Sequence, residues 1–545
     1  MSGLTGLDLE RAPRFGPVRR GIVIVGLLLG GLAWVQVGDH GDIEVTETTV
    51  GTVPVTLYEP AADGDDSGGG VDDRIDEGIG DGVGDGVPDA SHPGVVVVHG
   101  FAGSRQLMST GAVALARAGN VVAVPDLAGH GASRVRLPVA GRATSGAGSG
   151  DADERLTDEV VAVAGLLAEL PQVDPARIGA LGHSMGSGAV MRAGIRAPDR
   201  FAAVVAVSPT DAEVDAELPR NLLLLAGELE APFAANAERL LARAGGPSDD
   251  LDAALEAGGG RAAELVAGVE HISILFSPTA HAAAGDWFAA ALPPAGPVGA
   301  DDPADAADAG VAPITWWALH LIAVVAIWRA VVPVVAEPSI QEGRAGRAVL
   351  GAVVGAVVAT LLLGVLGVVV ALGTLGGMLV GSAIVVWFAL AGIGWLWLGD
   401  RPGPPGGRDV VWGLALLAVL VVGFGAMAPQ AWLPFFPIGP RVVLAVAFAV
   451  LLLPWTVAFA AAIHERRPVA AFGSWVTVSL VVVVGLNAAA NVVDDLGFVR
   501  LIAPALPVLL GLIQVVARPV RRPWATAIAA AGFLGWTVAA LFPLV

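Results

Sequence analysis

Beyond residue 313 the sequence resolves into eight apolar runs, at about 314–335, 347–372, 376–398, 410–429, 441–463, 470–493, 498–517 and 524–543. Runs of about 20 apolar residues match the thickness of a bilayer, and a backbone in hydrocarbon must satisfy its own N–H and C=O groups, so such runs become helices. A ninth run, Gly21–Val37, follows Arg11, Arg14, Arg19 and Arg20. The overall hydrophobic fraction of 54% fits a chain that lies partly in a membrane.

We read residues 1–20 as a cytoplasmic N-terminus and 21–37 as a transmembrane anchor. A signal peptide would share the basic start and apolar core, but Val35-Gln-Val-Gly-Asp39 turns acidic without a small-x-small cleavage site. With the N-terminus inside, the loops carrying Arg344 and Arg347, Arg401 and Arg408, Arg466 and Arg467, and Arg518, Arg521 and Arg522 all fall on the cytoplasmic side. Loops of the other parity hold Asp494 and Asp495 or the apolar Trp432-Leu-Pro-Phe-Phe-Pro437, which reads as an aromatic belt. Positive charge is retained inside, so this alternation places residues 38–292 outside the cell. Within the runs, His320, Asn487 and Asn491 are scattered helix-bridging groups, and Arg329 lies near a predicted cytoplasmic end. No series of carboxylates appears there, which argues against ion-coupled transport.

The segment 38–313 holds 42 of the 51 acidic residues and 15 of the 31 basic ones, and every basic residue is arginine. That balance excludes nucleic acid as a partner and resembles the acidic surfaces of proteins from salt-loving microbes. The chain has no cysteine, hence no disulfide, thiolate metal site or cysteine nucleophile. Residues 61–93, with repeats such as Gly80-Asp-Gly-Val-Gly-Asp-Gly-Val87, read as a solvated acidic insert; calcium is the ligand its carboxylates would suit. Residues 293–313 read as a linker to the membrane domain, 314–545.

Between insert and linker the pattern is that of an α/β domain. Ile43–Val50 and Val53–Tyr58 alternate as a hairpin, Gly94-Val-Val-Val-Val-His-Gly100 is a buried strand emptying into a loop, and Leu107–Ala118 is helical. Asn120–Pro125, Arg177–Leu181, Phe201–Val207 and Asn221–Ala226 are further strands, and Asp153–Leu170 is a helix with an acidic first turn. Such alternation folds as a mostly parallel sheet with helices on both faces. Gly182-His-Ser-Met-Gly186 stands between a strand and a helix, where the glycines let Ser184 occupy a sharp turn.

The motifs His99-Gly-Phe-Ala-Gly103, Asp126-Leu-Ala-Gly-His-Gly131 with Ser133, Gly182-His-Ser-Met-Gly186 and Gly227-Glu-Leu-Glu230 have the order and spacing of the α/β-hydrolase family, which residues 42–292 resemble. The likeness is to the dienelactone-hydrolase-like and esterase or lipase branches. Dienelactone hydrolases use a cysteine nucleophile, and its absence here points to ester or related acyl hydrolysis by serine. The resemblance implies Ser184 as nucleophile, a base late in the chain, and an acid after the strand 221–226. His271, in a loop before the helix that Ser277 and Pro278 open, is the expected base, with His281 inside that helix as the other choice. Glu230 occupies the position where relatives carry aspartate, and Glu228 is the alternative acid. Backbone N–H groups of Phe101 and Met185 are the implied oxyanion donors. His99, His130 and His183 are read as shaping turns rather than binding metal, and Asp126 as fixing its loop; no cofactor is expected.

About a dozen residues separate the strands ending at Val207 and beginning at Asn221, too few for a large cap, so the site should be open. The expected activity is hydrolysis of a small-molecule, lipid or peptide ester, thioester or amide through an acyl-enzyme, beside membrane lipids. The reading from another class is a membrane sensor or transport component whose hydrolase-like domain only binds a ligand.

Overall fold

The computed structural model describes residues 16–41, 43–60, 92–139, 150–293, 312–332, 345–399, 401–464 and 468–545. The acidic insert up to residue 91, most of the linker and the first fifteen residues lie outside them.

Eight strands form one sheet in the order β1-β2-β4-β3-β5-β6-β7-β8. The strands are β1 Ile43–Val50, β2 Val53–Pro60, β3 His92–Val98, β4 Val121–Pro125, β5 Val173–His183, β6 Ala203–Val207, β7 Leu222–Gly227 and β8 Arg261–Val266. β1 and β2 make the antiparallel hairpin, β2 also runs antiparallel to β4, and the remaining neighbours are parallel. Alternation explains the layers. Val95 and Val97 of β3 face α2 (Ser109–Arg117) and α7 (Pro278–Ala291), whereas Val96 and Val98 face α3 (Gly150–Glu169) and α4 (Met185–Arg196). Strands covered on both faces need apolar residues at every position, hence the unbroken valines. β2 ends and β3 begins at the edge opposite Ser184, so the insert joins the sheet away from the serine.

β8 is absent from the expectations. Arg261-Ala-Ala-Glu-Leu-Val266 is a sheet-edge strand with half-exposed residues, and neither an apolar run nor strict alternation marks it.

Among the described residues nine helices are long and apolar enough to cross a membrane, and the protein is a multi-pass membrane protein. Helix α1 (Pro17–Val37) precedes the α/β half, here called the hydrolase half after the resemblance noted above, and pairs with helix Pro313–Val331, which follows it. A side chain at Gly26 would stand 2.7 Å from Ile327, so small residues let the two backbones close. Helices Pro440–Ile463 and Pro523–Leu541 approach in the same way: a Cβ at Gly535 would lie 2.7 Å from the amide nitrogen of Ala449. The first run after the linker ends its helix at Val331, and the run 498–517 opens with short turns, Val499–Ile502 and Ala503–Ala505 around Pro504, that lead into helix Leu506–Ala517 with Pro507 in its first turn. Proline removes an N–H that a continuous helix needs.

The two halves are packed together. Ser104 Oγ donates to the Trp432 carbonyl (2.5 Å), and Phe101 meets Phe498 edge-to-face with ring centroids 4.6 Å apart. Leu544 and the loop after β4 exchange backbone hydrogen bonds, Leu544 to Gly129 (3.0 Å) and Leu137 to Leu544 (2.9 Å). Buried Arg441 donates to the carbonyls of Ala539 (2.7 Å), Phe542 (2.7 Å) and Gly129 (2.8 Å). These contacts correct the aromatic-belt reading of residues 432–437: Leu433 and Phe435 are buried in protein, and only Phe436 is well exposed.

Candidate active site

Ser184 follows β5 in the middle of the sheet and precedes the first turn of α4. Its φ of 53° and ψ of −119° are unusual for a residue with a side chain. Such a conformation is strained and is held by its surroundings. Here the Ser184 N–H donates to Val207 O (2.9 Å), and its carbonyl accepts from the Ser187 N–H (2.9 Å) and Ser187 Oγ (2.5 Å). Gly186 permits the turn, because a Cβ there would lie 2.6 Å from the carbonyl oxygens of both Val98 and His99.

His271 lies in the loop between β8 and α7, and the sheet brings it to the same edge. Its Nε2 is 3.1 Å from Ser184 Oγ, and its Nδ1 is 2.8 Å from Glu230 Oε2. Both His271 and Glu230 are buried. The other carboxylate oxygen, Oε1, accepts from the Gly227 N–H (2.6 Å) and Ser208 Oγ (2.7 Å). With the carboxylate so held, His271 Nδ1–H donates to it and leaves the Nε2 lone pair for the serine hydroxyl. His183 Nε2–H donates to His271 O (2.9 Å), and the Phe233 ring stacks on the imidazole at 4.2 Å.

The two alternatives lie elsewhere. Glu228 points to solvent and accepts from the Gly268 N–H (3.0 Å), and His281 bonds through Nε2 to Leu275 O (3.0 Å) within its own helical neighbourhood.

Phe101 and Met185 flank the serine. Met185 is the first residue of α4, where backbone N–H groups have no partner in the helix and the dipole is positive. Phe101 belongs to a turn closed by Gly103 N–H donating to Gly100 O (3.0 Å). A Cβ on Gly100 would stand 3.1 Å from that of Ser184, so only glycine lets this turn come so close.

The remaining motif residues shape loops. Asp126 accepts from the backbone N–H groups of Arg105 (2.9 Å) and Ala132 (2.9 Å). His99 Nε2 accepts from the Leu127 N–H (3.1 Å), and His130 Nδ1 pairs with Ala128 O (2.8 Å). Burial lowers the pKa of His99 and holds those of His130 and His183 well below the usual histidine value, so all three are neutral at pH 7. Among the described residues no three potential ligands gather to hold a metal ion.

Ser208 and Phe233 escape the sequence reading. Ser208 is the residue immediately after β6, and that position at the carboxyl end of a neighbouring strand is the signal that could have pointed to it.

No cap interrupts residues 208–221 between β6 and β7, as expected. The membrane half rests on the loops after β3 and β4, at the edge where Ser184 lies.

A mostly parallel sheet with a serine on a strained turn after its central strand defines an α/β-hydrolase fold. Residues 93–246 match the family described as alpha/beta hydrolase fold, and a C-terminal region of long apolar helices is joined to it. None of the curated proteins matches the sequence. Among solved structures, an esterase from the archaeon Pyrobaculum calidifontis is 16% identical, over 50% of this chain and 90% of its own, with a TM-score of 0.31. A dienelactone hydrolase from Anabaena variabilis is likewise 16% identical, over 46% of this chain and 98% of its own, with a TM-score of 0.28.

Proposed function

We propose that the protein is a membrane-embedded serine hydrolase that cleaves an ester, thioester or amide through an acyl-enzyme. The observation that carries this reading is the unbroken relay Ser184–His271–Glu230, with spacings of 3.1 and 2.8 Å. In this mechanism His271 Nε2 takes the hydroxyl proton as Ser184 Oγ attacks the acyl carbon. The N–H groups of Phe101 and Met185 stabilise the resulting oxyanion, each contributing roughly 10²–10³ in rate. Glu230 stabilises the imidazolium, which returns its proton to the leaving group as the carbon–leaving-group bond breaks. Water, deprotonated by the same imidazole, attacks the acyl-enzyme; the acid is released and the proton returns to Ser184.

The proposed orientation has the hydrolase half outside the cell. The arginine-rich loops on the opposite side support it, and the connections that touch the hydrolase half, at residues 370–380, 432–439 and 493–498, share its side as the parity of the spans requires.

The experiment is labelling with a fluorophosphonate probe in high-salt membranes. The parent chain is expected to label, and Ser184→Ala and His271→Ala are expected not to. A folded parent that resists the probe would favour a domain that binds a ligand without turning it over.

A further inference from the structure

Among the described residues of the hydrolase half, the large apolar side chains that stay exposed are Leu229, Leu251, Leu265 and Ile272. Two of the four adjoin the relay: Leu229, 66% exposed, precedes Glu230, and Ile272, 37% exposed, follows His271. The half-buried Phe233 ring covers His271 beside them. Scattered exposed leucines need no explanation, but apolar groups gathered at a catalytic mouth present a surface for apolar substrate.

On the oxyanion side of Ser184 the hydrolase half meets the membrane half. Phe101, which follows Gly100 in the turn beside Ser184, has its ring between His130 (5.9 Å) and Phe498 (4.6 Å), the latter in the connection before helix Leu506–Ala517. The membrane half thus supplies part of the wall at the oxyanion turn. In the connection whose Trp432 carbonyl holds Ser104, Phe436 and Ile438 are also exposed. The hydrolase half is flanked in sequence by two apolar helices that pair with each other, so it is tethered at both ends to the membrane half.

We propose that the substrate is a bilayer-resident ester with a long acyl chain, whose carbonyl reaches Ser184 from the membrane while the chain lies along Phe101, Phe498, Ile272 and Leu229. This inference rests on the serine-hydrolase reading. A chain in contact with apolar walls gains binding with each methylene, whereas a short polar ester leaves the collar wet.

The test uses the full chain in vesicles of diether phosphatidylcholine, which has no ester to cleave. p-Nitrophenyl esters from four to sixteen carbons are compared at equal free aqueous concentration, so that water is the reference for every chain length. The specificity constant kcat/KM should rise by up to about threefold per methylene over the first part of the series. In Ile272→Ser and Phe498→Ala the slope should flatten, the loss growing with chain length; Ile272 is a surface position, so its variant keeps the test valid should Phe498→Ala misfold. Equal kcat/KM at all chain lengths, or a loss of one constant factor in both variants, overturns the lipid assignment and gives the collar to a protein contact such as a second copy. Fluorophosphonate labelling of Ser184 in the same vesicles separates the two readings. Labelling with a flat profile rejects only the bilayer substrate, and no labelling rejects the hydrolase as well.

Discussion

Glu230 Oε2 lies 2.8 Å from His271 Nδ1, while Glu228, two residues earlier, turns to solvent. Glu230→Gln is therefore expected to lower kcat by roughly 10³–10⁴, because the amide no longer holds the required tautomer or balances the imidazolium. Glu228→Gln should stay within about twofold. Steady-state hydrolysis of one ester by both variants checks the assignment, and equal losses would refute it.

Gly186→Ala should destabilise the hydrolase half by about 1–3 kcal/mol and abolish labelling of Ser184, since the added methyl meets two strand carbonyls. Thermal unfolding with the labelling assay reads both effects. An alanine variant that labels normally would show that the turn relaxes freely.

The buried imidazoles of His99, His130 and His183 set a pH dependence. Burial depresses each folded pKa below the value of about 6.5 in the unfolded chain. As the pH falls below about 6.5, the unfolded chain takes up protons first, so stability declines toward acid until the folded pKa values are passed. Above that pH these groups leave stability flat. Unfolding midpoints of the detergent-solubilised protein between pH 8 and 5 should fall with acid, less steeply in His130→Asn; midpoints independent of pH would contradict neutral burial.

Arg441 joins the halves through carbonyls of residues 539, 542 and 129. Its replacement by methionine leaves the Ala539 and Phe542 carbonyls without this donor, while Gly129 O keeps the Leu544 N–H, and should weaken the joint by roughly 2–3 kcal/mol. Faster proteolysis near residue 129 is the expected readout, and unchanged cleavage would mean that the remaining contacts suffice.

Because the chain has no native cysteine, single cysteines report topology without background. Asp252→Cys should react with a membrane-impermeant maleimide on intact cells, and Arg408→Cys only after permeabilisation; both positions are exposed. The opposite pattern would invert the proposed orientation.

What the sequence by itself determined was what depends on neighbours along the chain. The glycines around Ser184 specify a turn locally, the valine run 95–98 specifies burial on two faces, and apolar length alone marks the membrane helices. Family position alone favoured Glu230 over Glu228, and what sets the two apart physically, the arrival of His271 from some forty residues away, is tertiary. β8 was missed because an edge strand needs no apolar pattern on its open side. Ser208 and Phe233 gain their places only when β6 and the start of α5 (Ala231–Arg243) come beside the loop after β8. Tertiary structure alone decided that the membrane half packs against the loops of the hydrolase mouth. Contacts such as Phe101 with Phe498 and Arg441 with Gly129 join residues hundreds of positions apart, and no local periodicity records them.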